Sequence, residues 1–205
     1  MKKVFQLLAA LFFFGSSSLA LAYSDKATVI EGADIVKIER LAVAAPLYMP
    51  VKDAPSMEEL VRLLNEAAAV SKHQVVTYDV MAQNILRDRH VDLYKTDRHV
   101  GAKVFRDQVA QYADAYVILT VANNSRTAFF FDVYEAGTNE LLYSYQIIAD
   151  RDDPDDVKTY TEMAQKFYKN FDGSVNEAKN QQEKEAKEAR EKAKKEAERA
   201  VREKK

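Results

Sequence analysis

The sequence predicts an α/β (α+β) domain: a mixed sheet of about five strands with packed helices, followed by a long charged C-terminal helix. Three observations carry that prediction. Short apolar runs alternate with segments of helical spacing from Arg40 to Ala122. Two apolar arms flank Gly137-Thr138-Asn139, which reads as a hairpin turn. Residues 183–205 are almost wholly Glu, Lys, Arg and Ala, a helix-forming composition without large apolar side chains.

The elements follow in order. Lys2 and Lys3 precede an apolar run from Val4 to Phe14, and small residues lead to Ala20-Leu21-Ala22. That pattern is a secretory signal peptide over residues 1–22, cleaved after Ala22. Its apolar run is too short to span a bilayer comfortably. Residues 23–34 then read as a flexible mature N-terminus, and residues 35–175 as the globular domain. Arg40–Pro46 is expected as a buried strand, and Pro46, Pro50 and Pro55 make a loop after it. Ser56 and Glu59 fit a capping box at the start of an amphipathic helix that carries Leu60, Val61, Leu64 and Ala67 and ends near Lys72. Gln74–Tyr78 is a short strand. Asp79 reads as the N-cap of a second helix with Met81, Ile85 and Leu86, and Val104–Ala113 as a third. Ala115–Ala122 is nearly continuous in apolar residues, as suits a strand covered on both faces. The hairpin supplies two more strands. Helical crossovers require the early strands to be parallel, whereas the later ones can turn back directly. The predicted order is therefore β-α-β-α-α-β-β-β-α.

The last helix has two characters. Acidic residues of Asp150–Asp156 stand at its start, where they complement the helix dipole. A calcium loop there would need a glycine and a closing glutamate that the segment lacks. Tyr160, Met163, Ala164, Phe167 and Phe171 then recur at helical spacing and should dock on the sheet. From 176 to 205 the chain becomes a charged tail with Glu–Lys and Glu–Arg pairs at i,i+4, such as Glu183 with Lys187 and Glu198 with Arg202. A solvated helix fits this composition better than a coiled coil, because the stripe of Ala186, Ala189, Ala193, Ala197 and Ala200 offers little to bury.

Four stretches, taken in order, resemble a known group of envelope domains: the amino-terminal domain of TolB, CsgG and LpoB. They are RLAVAAPLY with its proline loop, QVVTYDVMAQNIL, AQYADAYVILTVAN and FFFDVYEAGTNELLYS. The resemblance covers roughly residues 35–150. It implies a periplasmic or envelope module that docks partner proteins, assembles complexes or activates envelope enzymes, with no chemistry of its own. The chain departs from the group in three ways. It has no cysteine for lipid attachment, no long inserted amphipathic hairpins and no propeller repeats.

Composition limits the remaining functions. From Tyr23 to Asn176 there are 17 Lys and Arg against 24 Asp and Glu, a net of −7. From Glu177 to Lys205 there are 11 against 8, a net of +3. An acidic body does not suit nucleic acid, which requires a basic footprint. Without cysteine there is neither a disulfide nor a thiolate metal site. Five scattered glycines make no phosphate-cradling loop, and no Ser-His-Asp order is evident. Asp88-Arg89-His90-Val91 recurs as Asp97-Arg98-His99-Val100. Imidazole with carboxylate suits zinc, but His90 and His99 are expected in a solvated connection with arginines interleaved. His73 stands alone at a helix end, where its charge would favour the dipole. Asn123-Asn124-Ser125 reads as a turn. No catalytic, cofactor-binding or metal residue is assigned, and no cofactor is expected.

The expectation is thus an exported, non-enzymatic protein-binding or assembly module of the periplasm or cell envelope. It would be a monomer or weak homo-oligomer with an envelope protein as partner, and its basic tail could rest on an anionic surface. Two other readings stand beside it: a metal-dependent envelope hydrolase using the His90 and His99 segment, and a spacer that oligomerises through its helical tail.

Overall fold

The computed structural model describes residues 24–203 apart from position 53, with side chains described to Lys195. The signal-peptide reading of residues 1–22 lies outside the described residues. The strands are β1 (Ser24–Val29), β2 (Arg40–Val43), β3 (Gln74–Val76), β4 (Ala115–Asn123), β5 (Thr127–Glu135) and β6 (Leu141–Ile148). The α-helices are α1 (Met57–Ala67), α2 (Tyr78–Arg89), α3 (Arg98–Gln108) and α4 (Val157–Glu203). The strands form one mixed sheet in the order β1-β6-β5-β4-β2-β3.

Connection chemistry sets the strand directions. β2 pairs in parallel with both β3 and β4, because α1, α2 and α3 return the chain between them. β4, β5 and β6 form the antiparallel meander. The Phe-rich ribbon therefore lies in the same sheet as Leu41, with β4 between them. Its turn needs left-handed backbone twice, at Gly137 (φ 97°) and Asn139 (φ 61°). Asn139 is held there by the Tyr116 hydroxyl, which donates to its Oδ1 at 2.8 Å.

The stretch 23–34, expected to be flexible, holds the sixth strand. β1 pairs antiparallel with β6, from Ser24 opposite Ile148 to Val29 opposite Tyr143. All six of its residues are exposed, so no hydrophobic alternation marks it; its partner strand does. The Tyr145 hydroxyl fastens it by donating to Asp25 (2.7 Å), while Asn170 of α4 donates to the same hydroxyl (3.1 Å).

Two cores flank the sheet. On one face α1 and α4 bring Leu60, Leu64, Phe167 and Phe171 against Phe129, Phe131, Tyr143 and Tyr145. On the other, α2 and α3 bring Met81, Ile85 and Phe105 against Ala42 and Tyr116. Side-chain alternation divides the hairpin between its faces: Phe129, Phe131 and Val133 are buried, and Phe130 and Asp132 only partly.

Several boundaries differ from the sequence reading, each for a local reason. β2 ends at Val43 rather than Pro46, but the chain rejoins the sheet when Leu47 N–H donates to Leu119 (2.7 Å), beyond the proline that lacks a donor. β3 stops at Val76 because Thr77, not Asp79, caps α2 by accepting from Val80 N–H. α3 starts at Arg98 rather than Val104, since Asp97 accepts from the His99 and Val100 N–H groups. The capping box is present as expected: Glu59 N–H donates to Ser56 Oγ (3.2 Å), and Ser56 N–H to Glu59 Oε2 (2.8 Å). Replacing Ser56 with alanine should cost about 1 kcal/mol in urea unfolding. A change within experimental error would mean that the cap adds nothing to α1.

The buried tyrosines should control alkaline stability. Burial pushes the Tyr168 hydroxyl above its ordinary range, and burial followed by the Asp25 contact does the same to Tyr145. The folded state thus favours the neutral phenols. Their contribution to stability is constant below the unfolded pKa of about 10 and falls as pH rises past it. Tyrosinate absorbance and far-UV dichroism should show these two phenols ionising only with unfolding. Complete ionisation of all eleven tyrosines with the fold intact would refute this.

Candidate functional site

Among the described residues one charged side chain is buried, and it lies where α4 leaves the body. Tyr168, Phe171 and Val175 of α4 are buried, and Asp172 lies among them only 5% exposed. A carboxylate in that setting requires partners. The connection into β3 supplies three: Lys72 N–H (2.7 Å), the His73 imidazole Nδ1 (2.5 Å) and the Ser71 hydroxyl (3.3 Å). The His73 ring also rests on Phe171, with centroids 5.1 Å apart. Val36, Ile38, His73, Asp172, Asn176 and Lys179 border a cleft of about 260 Å3 beside the pair.

This corrects the reading of His73 as a lone residue favouring a helix dipole. Asp172 reaches it from 99 positions along the chain. A signal for the pair was present, since Asp172 lies four residues after Tyr168 on the face that docks on the sheet. A carboxylate on a buried stripe implies a partner, although the sequence does not say which.

The arrangement orients an imidazole but does not extend to a nucleophilic triad. Ser71 donates to Asp172 and accepts from His73 N–H (3.1 Å), so its hydroxyl is engaged on the carboxylate side. The cluster joins the start of β3 to α4 and fixes where the helix departs.

Beyond it α4 continues as an arm. Every residue from Lys179 to Lys195 is exposed, and among the described residues the last side-chain bond to the body is Gln182 donating to Asp34 (3.1 Å). Gln181 donates to Glu185 (2.6 Å), whereas Glu183 and Lys187 share a spacing without a closed contact. Exposed ion pairs gain little against the entropy of two long side chains. Glu198 and Arg202 lie outside the described side chains. Gly173, the one glycine of α4, stands at the root, where a Cβ would meet nothing within 4 Å.

The repeated DRHV segment is split between two elements. His90 closes α2 in left-handed conformation (φ 58°), and His99 sits in the first turn of α3. Asp97 is occupied as a helix cap, and Asp88 pairs with Arg87 (2.7 Å) and accepts from the Tyr112 hydroxyl. Those contacts, Arg87 foremost, hold the Asp88 carboxyl down at about 2. The second copy is thus helical rather than part of a loop. Among the described residues no three His, Asp or Glu side chains gather as metal ligands would. In the acidic stretch, Asp153 accepts from Asp150 N–H (3.0 Å) and Asp156 from Thr159 N–H (2.8 Å), the second acting as a cap for α4.

No family model matches the chain, and no curated protein does. Among solved structures it is similar to the PelC dodecamer of Paraburkholderia phytofirmans, at 9% identity over 71% of this chain and 94% of that one, with a TM-score of 0.38. It is also similar to the LpoB C-terminal domain of Escherichia coli, at 15% identity over 58% and 89%, with a TM-score of 0.43. A DUF4136 family protein of Bacteroides thetaiotaomicron is similar at 7% identity over 78% and 95%, with a TM-score of 0.35. LpoB is one of the groups named above from the sequence. Among the described residues no helix is long and apolar enough to cross a membrane.

Proposed function

We propose that this chain is an exported, non-enzymatic protein-binding module of the bacterial envelope, and that it engages a partner through the arm of α4. One observation carries the reading. A single helix is buried among aromatic residues in its first turns and exposed on every side from Lys179 to Lys195. Such a helix is fixed in direction by the core yet leaves its charged half open for contact. The arm segment is net basic and the body net acidic, so the arm suits an acidic partner surface and steers its approach. The signal-like N-terminus and the resemblance to envelope docking domains support the same reading.

The test compares the full mature chain with a form ending at Asn176, each crosslinked and purified from the envelope fraction of its own cells. The short form should remain folded and lose at least one partner that the full chain retains. Recovery of the same partners with both forms would place binding on the body and overturn the role of the arm.

A further inference from the structure

The end of the body opposite the arm has a different surface. There β2, β3 and β4 finish and the α-helices begin. Seven of the nine large apolar side chains that stand exposed among the described residues lie at this pole. Leu47, Met49 and Val51 occupy the loop after β2, with Met49 83% exposed. Val80, Val100 and Val157 sit in the first turns of α2, α3 and α4. Tyr94 is 60% exposed.

Specific contacts bring these residues together. The Arg98 guanidinium donates to the Pro46 carbonyl (3.0 Å), fixing the start of α3 beside the apolar loop. Tyr94 packs its ring on Tyr78 (5.4 Å) and donates its hydroxyl to Asp79, at the start of α2. Tyr48, inside the same loop, meets Tyr160 in the first turn of α4 (6.4 Å). Isolated apolar residues on a surface are ordinary, but a gathered set with a polar rim marks an interaction site.

The rim indicates what would cover it. Five aspartates lie between 150 and 156, against Arg151 alone. Asp155 accepts from Thr127, which shares Asn123 with Tyr160, the ring that meets Tyr48; this places the acidic stretch beside the apolar loop. Glu58 and Glu59 open α1 nearby, and the basic residues of the same end, Lys52, Lys95, Arg98, Arg126 and Lys158, are outnumbered by its carboxylates. We infer that this pole is a second docking surface, and that its occupant is a segment of another protein carrying both large apolar side chains and Lys or Arg. A second copy fits less well. Pole against pole would oppose two acidic rims, and the arm, from Asn176 to Lys195, offers charge without large apolar groups. An anionic lipid surface would meet the same aspartates.

The inference rests on the protein-binding reading and makes the molecule a two-ended connector. Its test uses the full mature chain and synthetic 18-residue amphipathic helices, read by fluorescence anisotropy. A Leu/Lys helix should bind, whereas Leu/Glu and Ser/Lys helices of equal length should not. Met49→Ser with Val51→Ser, and separately Asp152→Lys, should each weaken Leu/Lys binding at least about tenfold, as the loss of one well-buried contact would. These side chains are exposed, so dichroism and the unfolding midpoint should stay unchanged. The form ending at Asn176 should bind the peptide as well as the full chain. Four results would each overturn the proposal: binding indifferent to both sets of changes, equal binding of the Leu/Glu helix, Met49-dependent pelleting with phosphatidylglycerol vesicles, or Met49-dependent dimers in light scattering. None of them bears on the arm, whose test is the loss of partners on truncation.

Discussion

Replacing Phe167 with alanine should lower the unfolding free energy by about 3–5 kcal/mol, the range for removing a fully buried aromatic ring. Phe167 has no exposed surface, and its ring stacks on Phe131 at 4.2 Å with an 8° tilt. Tyr145, Tyr168 and Phe171 surround it at 5.0–6.3 Å. The cavity would open where α4 meets the middle of the sheet, with rings on several sides that cannot collapse together without leaving their rotamers. Phe130→Ala is the internal control: it sits on the same strand but the opposite face and is only partly buried. Its loss in urea unfolding should be clearly smaller. Equal losses at the two positions would show that the α4 face is not the dominant core.

Asp172→Ala should cost about 3 kcal/mol, the upper end for leaving buried hydrogen-bonding groups unsatisfied. The substitution leaves Lys72 N–H and the His73 imidazole without their acceptor. The His73 and Asp172 side chains are only 11% and 6% exposed, so solvent screening does little to soften the loss. Asp172→Asn keeps an acceptor oxygen and should cost less. A double-mutant cycle with His73→Ala isolates the pair, since residues in one network couple and their effects do not add. An Asp172→Ala change within about 0.5 kcal/mol, the range of ordinary surface substitutions, would refute the clamp.

Legibility in the sequence followed the amount of information each residue carries locally. The meander could be read because Gly137 and Asn139 mark the turn and apolar residues mark both arms. The Ser56–Glu59 box is a local chemical signature, so it survived unchanged. β1 did not show itself because SDKATV buries nothing and is a strand only through its partner β6. The start of α3 was concealed in the repeat, which reads as a solvated connection, whereas the Asp97 carboxylate caps a helix there. The His73–Asp172 clamp joins residues about a hundred positions apart, and nothing at either position names the other. The apolar pole was hidden for a related reason. Val80, Val100 and Val157 are far apart along the chain and share a surface only because the helices begin at one end of the sheet.

Because α4 is one unbroken helix, whatever grips its tip also pulls on the sheet. From Glu183 to Glu203 it reaches about 30 Å at 1.5 Å per residue, and its backbone bonds run on into the layer holding Phe167 and Phe171. A sideways load out there arrives at the body as torque, with the Asp172 anchorage taking the strain. Gly173, the next residue, still lies inside the docked stretch, since Val175 beyond it is buried and Gln182 bonds to Asp34. A Cβ at 173 would meet nothing within 4 Å, so alanine there should stiffen the boom without disturbing the anchorage.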